Sequence, residues 1–217
     1  MNVYHKIQQL YNSTVRDLLP EKNRKLTGVN VQDTPLFDIY ADNPTYKIGL
    51  ILAIYDYVSE GDSVEIVGFG RGVTTTHIFQ AGASQVVGYE GAPKMIKKGV
   101  DTVKQNIGEI NSMRIKHAIV GDPIDVYGDF SDAKTIPPAE LAMGDILVLD
   151  CEGAEISILS NLGNYPDTVI CESHPTKGSP SHKVSELLEE NYVVSTRSQK
   201  PAPDTKEVVI GTQHNGC

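Results

Sequence analysis

The residues with the clearest chemical meaning are three glycines at alternate positions, Gly68, Gly70 and Gly72, which follow a short apolar strand. Glycine lets the backbone turn sharply and approach a ligand closely, and the helix pattern that follows offers free N–H groups at its start. About 20 residues further on, the next strand ends on Glu90, whose carboxylate can accept hydrogen bonds from both hydroxyls of a ribose. This stretch therefore predicts a nucleotide site.

The spacing of the glycines narrows the choice of nucleotide. The dinucleotide fingerprint is GxGxxG, but the third glycine comes one residue early here and Val73 stands in its place. A Walker phosphate loop is excluded because no GK[ST] follows the glycines. The GxGxG spacing resembles the loop with which class I methyltransferases bind S-adenosylmethionine. The glycines alone leave open a tight strand-to-helix turn without a ligand.

A second group of polar residues ends two apolar strands later in the chain. Asp150 and Glu152 flank Cys151 at the end of one strand, while Glu172 and His174 end the next. Burying carboxylates is costly, so these acids either cap the following helix or lie beside a reacting group. Glu172 and His174 are two residues apart and therefore point to the same side of their strand.

The chemistry that suits this second group is activation of an acceptor hydroxyl. An imidazole with a pKa near neutrality is a good general base, so His174 is the first catalytic candidate, with Glu152 and Glu172 beside it. A methyl displacement depends mainly on alignment in a dry pocket, so a strong base is not always required. A divalent ion held by these three residues and Asp150 is an alternative. No complete set of ligand spacings is visible, and we predict no metal.

Asp150 and Glu152 of the second group lie inside the most specific motif of the chain. The segment ILVLDCEGAEISIL (146–159) resembles the D-x-E-G-A-E signature of FkbM-type methyltransferases, and VICESHP (169–175) resembles the E-x-H ending of their next strand. The segments GDSVEIVGFGRGVTT, VVGYEGAP and HAIVGD follow that family's order, so the resemblance covers residues 61–190. It implies O-methylation, mostly of sugars and natural products, on a seven-stranded methyltransferase sheet in the strand order 3-2-1-4-5-7-6.

The resemblance also implies how S-adenosylmethionine is held. The glycine loop wraps its methionine and ribose portion. Glu90 holds the ribose, Gly91 lies under the adenine, and Asp122 accepts a hydrogen bond from the adenine amine. These assignments place the cofactor at the carboxyl ends of the strands, where open α/β sheets bind ligands.

One position departs from the class pattern. Class I enzymes usually carry an acid two residues before the first glycine, and Ile66 stands there instead. Glu65 should point to the opposite face of the strand. We therefore expect Asp150 or a backbone carbonyl to grip the methionine amino group. The departure also keeps open a non-catalytic protein that retains the fold and binds a partner.

Strands and helices alternate from residue 61 onward. We predict strands near residues 64–67, 85–89, 114–120, 145–150, 167–172, 192–197 and 206–211, and helices near residues 72–81, 93–108, 153–161 and 180–190. Several strands are nearly continuous apolar runs, which is typical of a mostly parallel sheet covered on both faces. The last two strands have no helix between them and should form an antiparallel hairpin. The fold class is α/β, a Rossmann-like methyltransferase sheet with helices on both faces.

Residues 1–60 precede this alternation and are predicted to form an N-terminal helical cap that shapes the acceptor pocket. The remainder, residues 61–217, is the predicted cofactor-binding domain, in which the long connection 121–144 is expected to be functional. Within the cap we predict an amphipathic helix, an irregular segment, and a second helix that Asn43 and Pro44 initiate. These three parts span residues 1–19, 20–43 and 45–59.

Size and composition limit the class of protein further. A chain of 217 residues fits one domain, without an apolar run that could span a membrane or an apolar N-terminal block of a signal peptide. We expect a cytoplasmic protein. The three cysteines, Cys151, Cys171 and Cys217, show no metal-site spacing, and the first two are predicted to be buried thiols.

The net charge of −9 counts against a nucleic-acid substrate, because an acidic surface repels a phosphate backbone. The leading hypothesis is an O-methyltransferase whose acceptor is a hydroxylated small molecule or glycan. Residues 1–31 carry more basic than acidic side chains, which keeps an RNA or protein methyltransferase as an alternative. No membrane partner is expected, and the sequence leaves open whether the protein is a monomer or a homodimer.

Overall fold

The computed structural model describes residues 21–33, 42–121, 130, 132–141, 144–199 and 206–213. The helix predicted over residues 1–19, as well as Asp122 and Cys217, lies outside these described residues. The described helices and strands are β1 (Lys22–Leu26), β2 (Val29–Asp33), α1 (Ile48–Tyr57), β3 (Ser63–Val67), α2 (Val73–Ala81), β4 (Gln85–Glu90), α3 (Pro93–Ile107), β5 (Met113–Val120), β6 (Lys134–Ile136), β7 (Ile146–Leu149), α4 (Glu155–Leu159), β8 (Thr168–Glu172), α5 (Ser181–Glu189), β9 (Tyr192–Ser198) and β10 (Glu207–Gln213). None of these helices has the length and apolar character needed to cross a membrane.

Eight strands form the central sheet, in the order β6-β5-β4-β3-β7-β8-β10-β9. Neighbouring strands are parallel except β10, which runs antiparallel to both β8 and β9. The seven predicted strands lie in the predicted order, and the last two form the expected hairpin. The seven-stranded description was nevertheless wrong, because the connection after β5 adds the short strand β6 at the sheet edge. Its sequence, KTI, is too short and too polar to give a strand signal.

Two apolar cores cover the two faces of the sheet. On one face Leu50 of α1 and Ile78 of α2 pack against Ile66 of β3. On the other, Ile158 of α4 and Val184 of α5 pack against the opposite side chains of the same strands. The apolar strands supply both cores because alternate residues of a strand face opposite sides. Helix α1 therefore packs as part of the sheet domain, while the cap role of residues 1–60 stays a prediction.

The segment 20–43, expected to be irregular, contains a β-hairpin formed by β1 and β2. Thr27 and Gly28 form its turn with φ values of 47° and 87°, as a two-residue hairpin turn requires. Leu26 packs with Val73 at the start of α2, so the hairpin lies beside the glycine loop. The strands escaped prediction because lysine and asparagine side chains interrupt the apolar alternation on their outer side.

Helix α1 begins at Ile48 rather than near Thr45, and Asn43 is not its N-cap. The side-chain oxygen of Asn43 accepts a hydrogen bond from the N–H of Thr45 at 3.2 Å, which closes a local turn. Lys47 is the N-cap residue instead, with a left-handed φ of 51° that costs about 1–2 kcal/mol for a residue with a Cβ atom. This conformation places the Lys47 side chain against Asp150, directly after β7.

Candidate active site

The glycine loop joins the carboxyl end of β3 to α2. Gly68, Gly70 and Gly72 have φ values of 91°, 52° and 75°. A methyl group at Gly68 would lie 2.0 Å from the carbonyl oxygen of Asp150, and one at Gly72 would lie 2.4 Å from a backbone oxygen of α3. Only glycine fits at these two positions. A methyl group at Gly70 would meet nothing nearer than 3.9 Å, so its backbone borders open space in which a ligand can lie.

Glu90 ends β4, and its carboxylate braces the glycine loop. One oxygen accepts a hydrogen bond from the N–H of Gly70 and the other from the N–H of Ala92, each at 2.9 Å. A carboxylate has about four acceptor positions, so Glu90 keeps capacity for the two hydroxyls of a ribose. The structure places Glu90 beside the loop as expected, and its contact with a ribose stays a prediction.

The turn after β4 is the region predicted to lie under an adenine. The carbonyl oxygen of Gly91 is 2.9 Å from Nε2 of His117, and a methyl group at Gly91 would lie 3.0 Å from the side chain of Ile119. The turn is therefore fixed and closely packed from the side of β5. Asp122, the other residue predicted to contact adenine, lies outside the described residues.

Ile66 stands where class I methyltransferases usually carry an acid, and its side chain belongs to the apolar core. Ile66 is fully buried between the sheet and helices α1 and α2. Glu65 points to the other face, as predicted, where its buried carboxylate accepts a hydrogen bond from the hydroxyl of Tyr89 at 2.9 Å. Glu65 therefore makes a structural hydrogen bond inside the protein. Binding of a methionine amino group by Asp150 or a backbone carbonyl stays a prediction.

The second polar group converges at the carboxyl ends of β7 and β8. One polar atom from each of Asp150, Glu172 and His174 lies within 4.8 Å of the other two, and all three residues are buried. We call these three residues the acid–histidine cluster. Because β3 and β7 are neighbours in the sheet, the cluster adjoins the glycine loop where Gly68 meets Asp150. The structure thus brings together the two groups that the sequence singled out.

Glu155 orients the imidazole of the cluster. Nδ1 of His174 is 2.7 Å from Oε1 of Glu155, a fully buried carboxylate in the first turn of α4. Burial lowers the pKa of His174, but the carboxylates of Glu155 and Glu172 outweigh burial and raise the pKa to about 9. Sequence reasoning missed this role, although Glu155 is the last residue of the DCEGAE motif.

Glu152 lies at the rim of the cluster. Its carboxylate binds Nζ of Lys177 at 2.5 Å and remains 4.0 Å from Nε2 of His174. Its backbone is left-handed, with φ of 59°. The N-cap explanation for the acids is wrong, because Ala154 is the N-cap residue of α4 and neither Glu152 nor Asp150 bonds to the start of the helix.

Lys47 is part of the site without any sequence signal. Its Nζ forms an ion pair with Oδ2 of Asp150 and lies 3.4 Å from Oε2 of Glu172. Burial raises the pKa of Asp150 more than Lys47 lowers it, and the Glu172 carboxylate adds to the rise, so the pKa is about 8. At Glu172 burial is outweighed chiefly by the Lys47 charge, which holds the pKa well below its ordinary value. One carboxylate of the pair is therefore firmly charged, while the other exchanges a proton near neutrality.

Gln199, directly after β9, is a further residue that the sequence did not predict. Its Nε2 donates to Oε1 of Glu172, and its Oε1 accepts from the N–H of Leu50 at 3.0 Å. Gly49 permits this approach, since a methyl group there would lie 2.6 Å from Oε1 of Gln199. Gln199 thereby fixes both Glu172 of the cluster and the first turn of α1.

Cys151 and Cys171 are buried free thiols, as predicted. Burial is the largest cause that raises the pKa of each thiol well above its ordinary value. A buried, protonated thiol is a poor nucleophile, so these residues act as small core side chains.

No protein-family model and no curated protein sequence matches the chain. Solved structures do resemble it. The N-methyltransferase NodS from Bradyrhizobium japonicum WM9, in complex with S-adenosyl-L-homocysteine, superposes with a TM-score of 0.55 and 10% sequence identity, covering 80% of this chain and 89% of NodS. Magnesium protoporphyrin IX methyltransferase (ChlM) from Synechocystis PCC 6803, with bound SAH, gives a TM-score of 0.54 and 14% identity, covering 76% of this chain and 80% of ChlM.

A third similar structure is the T. thermophilus 16S rRNA N2 G1207 methyltransferase RsmC, in complex with AdoMet and guanosine. Its TM-score is 0.53 at 16% identity, covering 89% of this chain and 50% of RsmC. At such low identities the likeness concerns the fold. The chain has the Rossmann-like α/β fold of S-adenosylmethionine-dependent methyltransferases, with a mostly parallel central sheet.

Proposed function

We propose that the protein is an S-adenosylmethionine-dependent O-methyltransferase that acts on a hydroxylated small molecule or glycan. The observation that carries the proposal is the contact between Gly68 of the glycine loop and Asp150 of the acid–histidine cluster. This contact joins the proposed nucleotide site, which backbone atoms line, to buried acidic and basic groups. Both lie at the carboxyl ends of the strands, where open α/β sheets bind ligands. The bound cofactors of NodS, ChlM and RsmC, which share the fold, support S-adenosylmethionine as the cofactor.

The reaction is a displacement at the methyl carbon. The acceptor oxygen forms a bond to this carbon while the carbon–sulfur bond breaks, its electron pair stays on sulfur, and S-adenosylhomocysteine leaves. The hydroxyl proton passes to the acid–histidine cluster. Because His174 is protonated at pH 7, with a pKa of about 9, we assign proton uptake to Asp150, whose pKa of about 8 leaves part of this carboxyl group ionised near neutrality. Glu152 and Glu172 complete the acceptor side.

Two features favour a small hydroxylated acceptor. The net charge of −9 disfavours a phosphate backbone as the partner. The segment 146–159, which contributes both Asp150 and Glu155, resembles the signature of the FkbM-type enzymes, and membership of that family is part of the proposal. A methyl acceptor that is RNA would overturn this choice of substrate class.

Calorimetric titration with S-adenosylhomocysteine tests the cofactor site. We expect wild-type protein to bind it and Glu90→Ala to bind about 1–3 kcal/mol more weakly, since a partly buried acceptor is lost. Glu109→Ala is the matched control, because Glu109 is an exposed carboxylate that pairs with the exposed Lys104 at 3.1 Å. Absence of binding at millimolar ligand would refute the proposed function.

The methyl acceptor is tested by measuring S-adenosylhomocysteine release with a panel of hydroxylated small molecules and glycans. With an accepted substrate, Glu172→Gln should lower the rate by about 100-fold or more, because it disrupts the proton-accepting cluster. Glu189→Gln, an exposed change on α5, should leave the rate unchanged. Release that is stimulated only by RNA would contradict the proposed acceptor class.

A further inference from the structure

We propose that Asp150, Glu172 and His174 form a binding site for one divalent metal ion, which binds and activates the acceptor hydroxyl beside the cofactor. The ion's role in catalysis rests on the proposed function, whereas its binding does not. The proposal departs from the sequence prediction of no metal, because the structure reveals contacts that the spacing of the residues could not.

Each residue of the cluster has one polar atom fixed by a close partner and a second polar atom that is held less tightly. The fixing partners are Lys47 for Asp150, Gln199 for Glu172 and Glu155 for His174. Within the described residues, Oδ1 of Asp150, Oε2 of Glu172 and Nε2 of His174 are buried and have no hydrogen bond of good geometry. Oε2 of Glu172 has longer contacts, at 3.3 Å to Nε2 of His174 and 3.4 Å to Nζ of Lys47. Buried polar atoms without a hydrogen bond are rare, so three in one cluster point to a shared ligand.

The separation of these atoms suits ligands of one metal ion. Nε2 of His174 and Oε2 of Glu172 are 3.3 Å apart. Two neighbouring ligand atoms that each lie about 2.1 Å from an octahedral ion are about 3.0 Å apart. The third residue, Asp150, has a carboxylate oxygen within 4.8 Å of both. Small side-chain rotations would therefore complete a three-ligand face.

The hydrogen bond between His174 and Glu155 is the kind that supports a metal-bound imidazole. Metal-binding histidines commonly donate their other ring N–H to a carboxylate, which fixes the ring and makes the free nitrogen a better ligand. Here Nδ1 of His174 meets the fully buried Glu155 at 2.7 Å, so Nε2 is the nitrogen presented to the cluster.

The charges of the cluster also favour a cation. Three buried carboxylates, those of Asp150, Glu155 and Glu172, face one lysine in direct contact, Lys47. Lys206 approaches Glu172 only at 3.9 Å. Once the ion has displaced the protons of His174 and Asp150, the three carboxylates outnumber the two ammonium groups, and the divalent ion would offset the excess negative charge. One imidazole with two carboxylates suits Mn²⁺, Fe²⁺, Co²⁺ or Zn²⁺.

Titration of EDTA-treated full-length protein with Mn²⁺, followed through the paramagnetic resonance of the free ion, tests the site. We expect one Mn²⁺ per chain, with affinity reduced about 100-fold or more in Glu172→Gln and His174→Ala and about 10- to 100-fold in Glu155→Gln. His182→Ala and Glu189→Gln, both exposed on α5, are the matched controls and should bind like wild type. Absence of binding, or unchanged binding in His174→Ala, would overturn the site.

Lys47→Met provides a test that loss of folding cannot imitate. Because Lys47 competes for Asp150 and lies 3.4 Å from Oε2 of Glu172, its removal should tighten Mn²⁺ binding by about 10-fold. Weaker binding in this variant would contradict the proposal. Titration of S-adenosylhomocysteine in EDTA separates the two proposals: cofactor binding without Mn²⁺ binding refutes only the metal site, and Mn²⁺ binding without cofactor binding refutes only the proposed function.

Discussion

The glycine loop and the acid–histidine cluster lie against each other but are constructed differently. The loop comes from one continuous stretch, and its shape depends on backbone dihedral angles that few residues other than glycine adopt. The cluster consists of side chains from the ends of β7 and β8, which are fixed by Lys47 and Gln199 from distant parts of the chain. One region is therefore sensitive to added atoms, and the other to removed charges.

The largest expected effect is that of Gly68→Ala in the loop. The added methyl group would lie 2.0 Å from the carbonyl oxygen of Asp150, at a φ of 91°. Backbone strain and the forced separation of β3 from β7 should lower the free energy of unfolding by about 2–4 kcal/mol, measured by urea denaturation. Gly28→Ala, with a φ of 87° and no atom within 4 Å, isolates the strain alone and should cost about 1–2 kcal/mol. Equal losses of stability in Gly68→Ala and Gly28→Ala would show that the close contact with Asp150 does not restrict residue 68.

Next in size is the loss of a charge from the cluster side. Lys47→Met in EDTA should lower the free energy of unfolding by about 2 kcal/mol, because two buried carboxylates lose their neighbouring cation. The cost stays below that of a fully buried pair since Lys47 is 17% exposed and Asp150 can take up a proton. Lys104→Met, which breaks an exposed ion pair with Glu109, should change stability by less than about 0.5 kcal/mol. If both variants unfold alike, the cluster carries no special charge coupling.

Gly70→Ala should separate the function of the loop from its stability. Gly70 has φ of 52° and no neighbour closer than 3.9 Å to an added methyl group, so the change should cost only about 1–2 kcal/mol of stability. The methyl group would project into the proposed cofactor space and weaken S-adenosylhomocysteine binding by about 10-fold, or 1.4 kcal/mol, in calorimetry. Unchanged affinity would move the cofactor away from Gly70.

The smallest effect is expected at Asp145, at the opposite end of the strands from both regions. Hydrogen bonds from the N–H and the hydroxyl of Ser63, each 2.8 Å from Oδ2, lower the pKa of Asp145 below its ordinary value of 3.8. A lowered pKa stabilises the folded protein at neutral pH, and this contribution is lost as acid protonates the folded carboxylate. Asp145→Asn should therefore cost about 0.5 kcal/mol at pH 7 after solvent screening, and less as the pH falls below 3.8 in chemical denaturation. A cost that persists in acid would rule out the charge as its origin.

The comparison also explains what the sequence could predict. The loop was readable because strand, glycines and Glu90 are close in sequence and each residue type has a local physical meaning. Asp150, Glu172 and His174 were found because polar residues at the ends of apolar strands stand out. Strand order followed from the resemblance and from the hairpin pattern of β9 and β10.

The missed features depend on tertiary contacts. Lys47 reaches Asp150 through an unusual left-handed N-cap. Gln199 lies 27 positions after Glu172, directly beyond the end of β9, and bonds to it only in the folded protein. Neither position carries a local pattern that distinguishes it from other polar surface residues. The hairpin of β1 and β2 was missed for a related reason, because only its inner side chains, such as Leu26, are apolar and buried.

The bridge made by Gln199 means that the edge of the sheet can adjust the acceptor side from a distance. Gln199 follows β9, the outermost strand, yet its amide determines which oxygen of Glu172 is turned toward the cluster. Segments that follow edge strands accept insertions and exchanges more readily than the core does. If the proposed function holds, substrate selectivity can therefore be redesigned through changes around Gln199 that leave every contact of the glycine loop intact.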